Sequence, residues 1–305
     1  MDISVIICTY NPNLTRLDQT LLALQKQSLD PLSWELIIVD NNSSNGFDVY
    51  LDLSFFPNSK IIKEPKQGLT YARLKGFHEA KGEIIIMVDD DNILQNDYLQ
   101  KTINLFKDHP QIGSAGGRSL PEFEWEAPTW LTGFYGNLAL RDLGDDTIIT
   151  KWENTYPHSA PIGAGMAIRK LALQSYMDAM DGDQNMITDR TDISLSSGGD
   201  NEINIQILRS GWELGYFPEL ILKHIIPKER MQVQYLARLL RDTNRSWVQL
   251  LEKHQISPWK KIYKQTLAFR KIKAYLTYKA WKNEAHFIKW QGACGMLEGR
   301  VKKAS

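Results

Sequence analysis

Residues 84–92 read IIIMVDDDN. Five apolar side chains lead straight into three adjacent carboxylates, Asp89, Asp90 and Asp91. Like charges side by side repel, and more strongly where water is partly excluded. A strand that ends this way either finishes in a well-hydrated turn or presents its carboxylates to a cation. Two other apolar runs end on polar clusters of the same kind. ISVIICTY (3–10) delivers Thr9 and Tyr10 with Asn11, and WELIIVD (34–40) delivers Asp40 with Asn41 and Asn42. Further on, SGGDNEI (197–203) sets Asp200 and Glu202 at the start of a helical pattern. A carboxylate there can cap the helix, as Ser197-x-x-Asp200 would suggest, or accept a proton from a reacting group. His224, in LKHIIP, closes an apolar run, where an imidazole is either a satisfied core group or a metal ligand.

The elements that must position these residues alternate along the first 120 residues. Strand patterns at 3–10, 34–40, 59–65 and 83–89 are interleaved with helical patterns at about 15–28, 68–82 and 96–109, the last with Asn96 as its expected cap. This order predicts an α/β fold, a mainly parallel sheet with helices on both faces. In such sheets ligands collect at the carboxyl ends of the strands, so the three polar clusters are expected to converge. APIGAGMAIRK (160–170) reads as a glycine-laced strand entering a helix, and WELGYFPELILKHIIP (212–227) as two short strands. The aromatic and proline-rich stretch 119–160 reads as a long loop, a lid or binding surface.

Bulk properties narrow the class. A chain of 305 residues with 43% hydrophobic and 24% charged residues is an ordinary globular protein, and no run is apolar enough to cross a bilayer as a helix. The N-terminus enters a strand pattern at once without a basic leader, so no signal peptide is expected. Cys8 and Cys294, far apart in sequence, suggest a reducing compartment, and a cytoplasmic location is expected. The net charge of zero hides an asymmetry: residues 228–305 hold 18 Lys and Arg against 5 Asp and Glu, while residues 1–227 hold 18 against 31. This predicts a boundary near 227 followed by a basic helical extension. That extension either packs a solvated basic face on the acidic domain or is drawn to anionic lipid headgroups or a polyanionic acceptor, which would make the protein peripheral at the inner face of the membrane.

The ordered series VIICTYN, IIVDNNS, GLTYARLKGF, MVDDDN, GAGMAIR, GGDNEI with its following helix, and LKHIIP resembles the family 2 glycosyltransferases of GT-A fold, over about residues 3–227. The resemblance implies a Rossmann-like mixed, mainly parallel sheet, with a nucleotide-binding half at about 1–91 and an acceptor-side half at 92–227. It implies an inverting transferase that takes a sugar from a nucleotide-sugar donor, commonly with Mn²⁺ or Mg²⁺. On that basis Asp91 is a metal ligand, Asp89 meets the ribose or a metal-bound water, and Asp90 is the variable middle position on the nucleotide-sugar side. Thr9, Tyr10 and Asn11 fall where the family seats the base. Asp40 can accept the N3–H of uracil, which cytosine lacks, so a UDP-linked donor is favoured. Arg73 resembles the arginine near the base and phosphates. Asp200 matches the catalytic base, with Glu202 as the backup, because Gly199 stands where an acidic residue usually precedes the base. His224 resembles a further metal ligand. Arg190, Trp125 and Trp130 are candidates for gripping the diphosphate or a sugar ring.

The chain has no QxxRW signature of processive synthases, so transfer of one sugar is expected, to a saccharide or lipid-linked glycan in polysaccharide biosynthesis and not to nucleic acid. Two alternatives differ in class. A sugar nucleotidyltransferase should carry a glycine-rich, basic triphosphate loop after the first strand, which CTYNPNLTRLD does not supply. A non-catalytic nucleotide-sugar-binding module would be consistent with Gly199.

Overall fold

The computed structural model describes residues 1–181 and 198–302. The described residues form two compact units, one from residues 1–122, 139–181 and 200–225, the other from residues 123–138, 198–199 and 226–302.

In the first unit, β1 (Ile3–Thr9), β2 (Trp34–Asp40), β3 (Ser59–Lys63) and β4 (Ile84–Val88) pair in parallel in the order β3-β2-β1-β4. Their continuous apolar sequences follow from cover on both faces. Ile3, Val5 and Ile7 of β1, Leu36 and Ile38 of β2, and Ile84, Ile86 and Val88 of β4 enter one cluster with α1 (Leu14–Gln25) and α3 (Tyr98–Asp108). The intervening Ile6, Ile37, Val39, Ile85 and Met87 enter a second cluster with α2 (Leu69–Glu79), α4 (Lys170–Asp181) and α5 (Gly199–Arg209). Side chains alternate across a strand, so the run is two interleaved faces, each with its own core.

Beyond β4 the sheet changes direction. The path continues through β8 (Ala167–Arg169), β6 (Ile112–Phe123), β9 (Glu213–Ile226) and β5 (Asn92–Leu94), and β7 (Ile148–Thr150) pairs with β9. β8 is antiparallel to β4, which returns the chain just before it to the carboxyl end of the parallel strands; there Met87 N–H donates to the Met166 carbonyl at 2.9 Å. β5 is antiparallel to β9, with Asn92 opposite His224.

Three expectations are corrected. Residues 213–226 form one strand and not two, because Pro218 is accommodated within β9. Helix α3 starts at Tyr98 with Asp97 at its N-cap, not Asn96; the Asp97 carboxylate pairs with Lys101 at 2.9 Å. The stretch 119–160 is not all loop: it contains the end of β6, a 3-10 helix at Thr129–Leu138 and β7.

In the second unit, α6 (Val233–Lys253) buries Leu236, Leu239, Leu240, Val248 and Leu251. It packs along α8 (Glu284–Gly299), whose buried Gly292, Gly295 and Gly299 fall three and four residues apart on one face. A Cβ on Gly295 would lie 2.0 Å from the Arg241 carbonyl oxygen, so the backbones meet where no side chain fits. Arg241 also hydrogen-bonds Glu298 through Nε at 3.1 Å. A third helix, α7 (Leu267–Thr277), contacts α8. No helix among the described residues is long and apolar enough to cross a membrane.

Ile86 is fully buried between β4's neighbours and the first cluster. Replacing it with Ala is expected to destabilise the fold by about 2–5 kcal/mol, read as a lower urea midpoint at unchanged m-value.

Candidate functional site

Register decides what meets at the sheet edge. Thr9 pairs directly with Asp40 across β1 and β2, and Ile7 with Val88 across β1 and β4. The parallel strands therefore end level, and their polar successors Tyr10, Asn41 and Asp89 emerge at one edge. Thr9 and Asp40 are buried there, Asp89 and Asp90 are half-buried, and Tyr10 is exposed.

The three carboxylates after β4 are held differently. The Thr9 hydroxyl donates to Asp90 Oδ2, tying the middle carboxylate to the end of β1. Asp91 is buried, and its Oδ1 lies 3.3 Å from Nε2 of the equally buried His224. The pairing of Asn92 with His224 makes this approach, and Ile225 N–H donates to the Asp91 carbonyl at 2.9 Å. Asn92 organises the tip. Its Oδ1 accepts from Asp89 N–H at 3.1 Å, and its amide donates to Asp91 Oδ1 at 3.2 Å. The triplet forms a tight turn that leads into β5, which Asn92 begins, and not into a helix.

Asp91 and His224 offer one oxygen and one imidazole nitrogen at a spacing that suits neighbouring ligands of one divalent cation, about 3 Å for bonds near 2.1 Å. No group of three or more His, Cys, Asp or Glu side chains that could hold a metal occurs among the described residues. An imidazole beside a carboxylate departs from the all-oxygen set that magnesium prefers, so the pair fits a transition-type divalent cation such as manganese better, with phosphate oxygens and water as the remaining ligands.

On the other side of β1, the Asp40 carboxylate accepts from Ser43 N–H at 2.8 Å. Buried Asn41 straps the next loop: its amide donates to the carbonyls of Glu64 and Lys66 at 3.1 and 2.8 Å, and its oxygen accepts from Gly68 N–H at 2.7 Å. Asn11 has a structural use not expected from its sequence position. Its oxygen accepts from Ser44 and Asn45 N–H at 2.9 and 3.2 Å, joining the β1 and β2 turns.

Asp200 and Arg73 come together at Gly163. Gly163 N–H donates to Asp200 Oδ2 at 3.0 Å, and a Cβ on Gly163 would lie 2.9 Å from an Arg73 terminal nitrogen and 3.6 Å from Asp200 Oδ2. A Cβ here would push on the end of the Arg73 side chain. Asp200 sits in the first turn of α5. Around it are Arg141, which donates to the carbonyls of His158 and Ala160, and Tyr156, whose hydroxyl donates to Asn201 Oδ1 at 2.5 Å. Desolvation draws Arg141 below its ordinary range, while Tyr156, Tyr216 and Asp200 oppose that. Burial pushes the Tyr156 hydroxyl up, Asp200 adds to it, and Asn204 and Arg141 counter. Tyr156 is therefore a neutral donor at physiological pH. Glu202, the backup base, is buried and accepts from Gln206 at 3.0 Å, whereas Asp200 is partly open.

Arg190 lies outside the described residues, as does Ser197. Trp125 and Trp130 belong to the second unit. Lys228 Nζ lies 4.4 Å over the Trp125 ring, and Trp130 packs edge-on against Phe134 at 6.0 Å. The sequence pattern assigns no individual role to Asn92, Asn41, Gly163, Arg141 or Tyr156. Of these, only Gly163 carries a local signal, the glycine pair in GAGMAIR.

Comparison with known proteins gives a family. The model of Glycosyl transferase family 2 matches residues 4–174. A glucosyl-dolichyl phosphate glucuronosyltransferase of Haloferax volcanii is 25% identical over 161 residues, 51% of this chain and 50% of that protein. The poly(ribitol-phosphate) beta-N-acetylglucosaminyltransferase TarP of Staphylococcus aureus is 28% identical over 156 residues, 48% of this chain and 45% of that protein. The chain thus spans about half the length of these relatives. The crystal structure of S. aureus TarS 1-349 in complex with UDP superposes with a TM-score of 0.55 at 13% identity, over 98% of this chain and 90% of that one. That likeness concerns the fold, which is the GT-A type with C-terminal helices.

The half-buried Cys8 thiol adds a test of the electrostatics at this edge. Desolvation pushes it up to about 12; Arg73 opposes the rise, and Asp89 and Asp90 reinforce it. A raised thiol pKa favours the protonated form in the fold, so that contribution is complete below the unfolded value and is lost as pH rises towards about 12. Burial raises Cys294 as well. At pH 8 neither thiol should react with iodoacetamide in the native protein while both react in urea, as read by mass spectrometry.

Proposed function

Because the chain belongs to glycosyl transferase family 2, we propose that it is a metal-dependent inverting glycosyltransferase taking a sugar from a UDP-linked donor. The observation that carries this reading is the convergence, at one sheet edge, of Thr9, Asp40 and the Asp89–Asp91 tip, with His224 3.3 Å from Asp91. The TarS structures in complex with UDP and with UDP-GlcNAc support a uridine nucleotide donor for a chain of this fold. The relatives that act on a polyprenyl phosphate sugar and on poly(ribitol-phosphate) support a glycan or lipid-linked acceptor.

In this reading Tyr10 stacks on the base, a contact of about 1–3 kcal/mol in other nucleotide complexes. The second oxygen of Asp40 accepts from uracil N3–H, and Asp89 meets the ribose. Asp91 and His224 would hold Mn²⁺ or Mg²⁺, which when bound neutralises charge on the departing diphosphate. Arg73, beside Gly163, carries positive charge towards the same phosphates. Asp200 takes the proton from the acceptor hydroxyl, its carboxylate oriented by the Gly163 N–H on Oδ2 and the Asn201 N–H on Oδ1. Asp90, bound to the Thr9 hydroxyl, positions the tip and meets the donor only through that hydroxyl.

The two carboxylates should fail differently. Asp91→Asn is expected to lower Mn²⁺-dependent release of UDP from UDP-hexoses by about 10²-fold or more and to remove the metal's effect on UDP affinity. Asp200→Asn is expected to lower turnover by about 10²–10⁴-fold with UDP affinity unchanged. Full turnover in either variant overturns that residue's role, and a wild-type protein that binds UDP without releasing it from any donor favours a binding module.

A further inference from the structure

The second unit carries an exposed surface made of residues other than those given a role in the proposed transfer. Helix α7, Leu267–Thr277, has no buried residue. Phe269, Ile272 and Leu276 are 71%, 61% and 59% exposed. Their spacing of three and four residues puts them in one stripe about 10 Å long. Exposed Tyr263 precedes this stripe, and exposed Tyr278 and Trp281 follow it. Large apolar side chains cluster here as they rarely do on a water-facing surface.

The stripe cannot be hidden by rotating α7, because the opposite side is anchored. Lys271 Nζ reaches Glu298 at 2.6 Å, and the Lys271 carbonyl accepts from Trp290 Nε1 at 3.1 Å. Tyr275 meets the Trp290 ring edge-on at 5.1 Å between centroids. Those contacts fix α7 on α8 and hold the apolar stripe outward.

Charge identifies the occupant. From Lys260 to Lys282 there are eight Lys and Arg and no Asp or Glu. Lys264, Arg270, Lys273, Lys279 and Lys282 are exposed among the aromatic and aliphatic side chains. Between α7 and α8 a shallow groove has Ala274, Ala293, Met296 and Leu297 in its walls, with Arg270 and Lys273 also lining it. An apolar floor with a cationic edge suits a molecule that has an acyl chain and an anionic head. A helix with aromatic and aliphatic residues on one side and Lys and Arg beside them is the composition of helices that lie in a membrane interface. A cluster of this many basic residues on such a helix selects anionic lipid. A second copy of the chain would instead bring two strongly basic surfaces together.

We propose that α7 and its flanks form a docking surface for an anionic lipid bilayer, with Phe269, Ile272 and Leu276 entering the interface and the surrounding Lys and Arg contacting headgroup phosphates. The test is co-sedimentation of the full chain with vesicles of phosphatidylcholine alone and with about 30% phosphatidylglycerol. Binding to the anionic vesicles should exceed that to the neutral ones by about tenfold and weaken with added salt. The combined variant Phe269→Glu, Ile272→Glu and Leu276→Glu should lose about tenfold or more of that binding, with its circular dichroism and UDP affinity unchanged. Lys264→Gln with Arg270→Gln and Lys273→Gln should erase the preference for anionic vesicles. Equal binding to both vesicle types, undiminished binding by the Glu variant, or no sedimentation would overturn the proposal. So would light scattering that shows a dimer abolished by the Glu substitutions.

Discussion

The molecule depends on the parallel pairing of β1 with β2 and β4 in one register. A slip of one residue in any of these strands would turn its whole apolar set to the opposite face. Two clusters sandwich the sheet, one containing Val5 and Ile86 and the other containing Ile6 and Met87, and together they forbid such a slip. The same register makes Thr9 level with Asp40 and brings the residues after Val88 beside them. Core packing and site geometry are therefore one constraint, and the site is built from residues that a stable sheet places there anyway.

The cost of that arrangement falls on the carboxylates after β4. Three of them in a row cannot all face a dry interior unpartnered. The fold separates their surroundings: Asp90 takes a hydroxyl from Thr9, Asp91 is set against His224 and Asn92, and Asp89 stays half-buried at the edge. The rise of the Cys8 thiol registers the negative field that remains, after desolvation and against the pull of Arg73. In the proposed function, a cation bound at this edge relieves that repulsion.

The parallel half of the fold was legible because its strands are buried on both faces and read as unbroken apolar runs. The antiparallel half was legible only in part: the stretches of β8 and β9 read as strands, β9 as two, while β5 and β6 did not. β6 reads IGSAGGRSLPEF, without an apolar period, β5 is three residues long, and β9 contains Pro218. These strands are held by pairing partners far away in sequence, which local pattern does not reveal. The same holds for the site. Asp40, Asp91 and His224 belong to motifs that can be read locally, whereas Asn41, Asn92 and Tyr156 act through bonds whose meaning emerges only once the chain has folded. Asn11 carries a use of the same kind: its carboxamide closes the neighbouring turn, which its place at a strand end does not announce.

In the proposed function, Asp91 and His224, brought together by β5 and β9, hold the cation that carries the donor diphosphate. Anomalous diffraction at the manganese edge, from crystals grown with UDP and Mn²⁺, tests it directly. The expected result is one manganese peak within bonding distance of an Asp91 oxygen and the His224 Nε2, in contact with the UDP phosphates. A peak bonded to other side chains, or UDP seated at this edge with no metal beside Asp91, would contradict it.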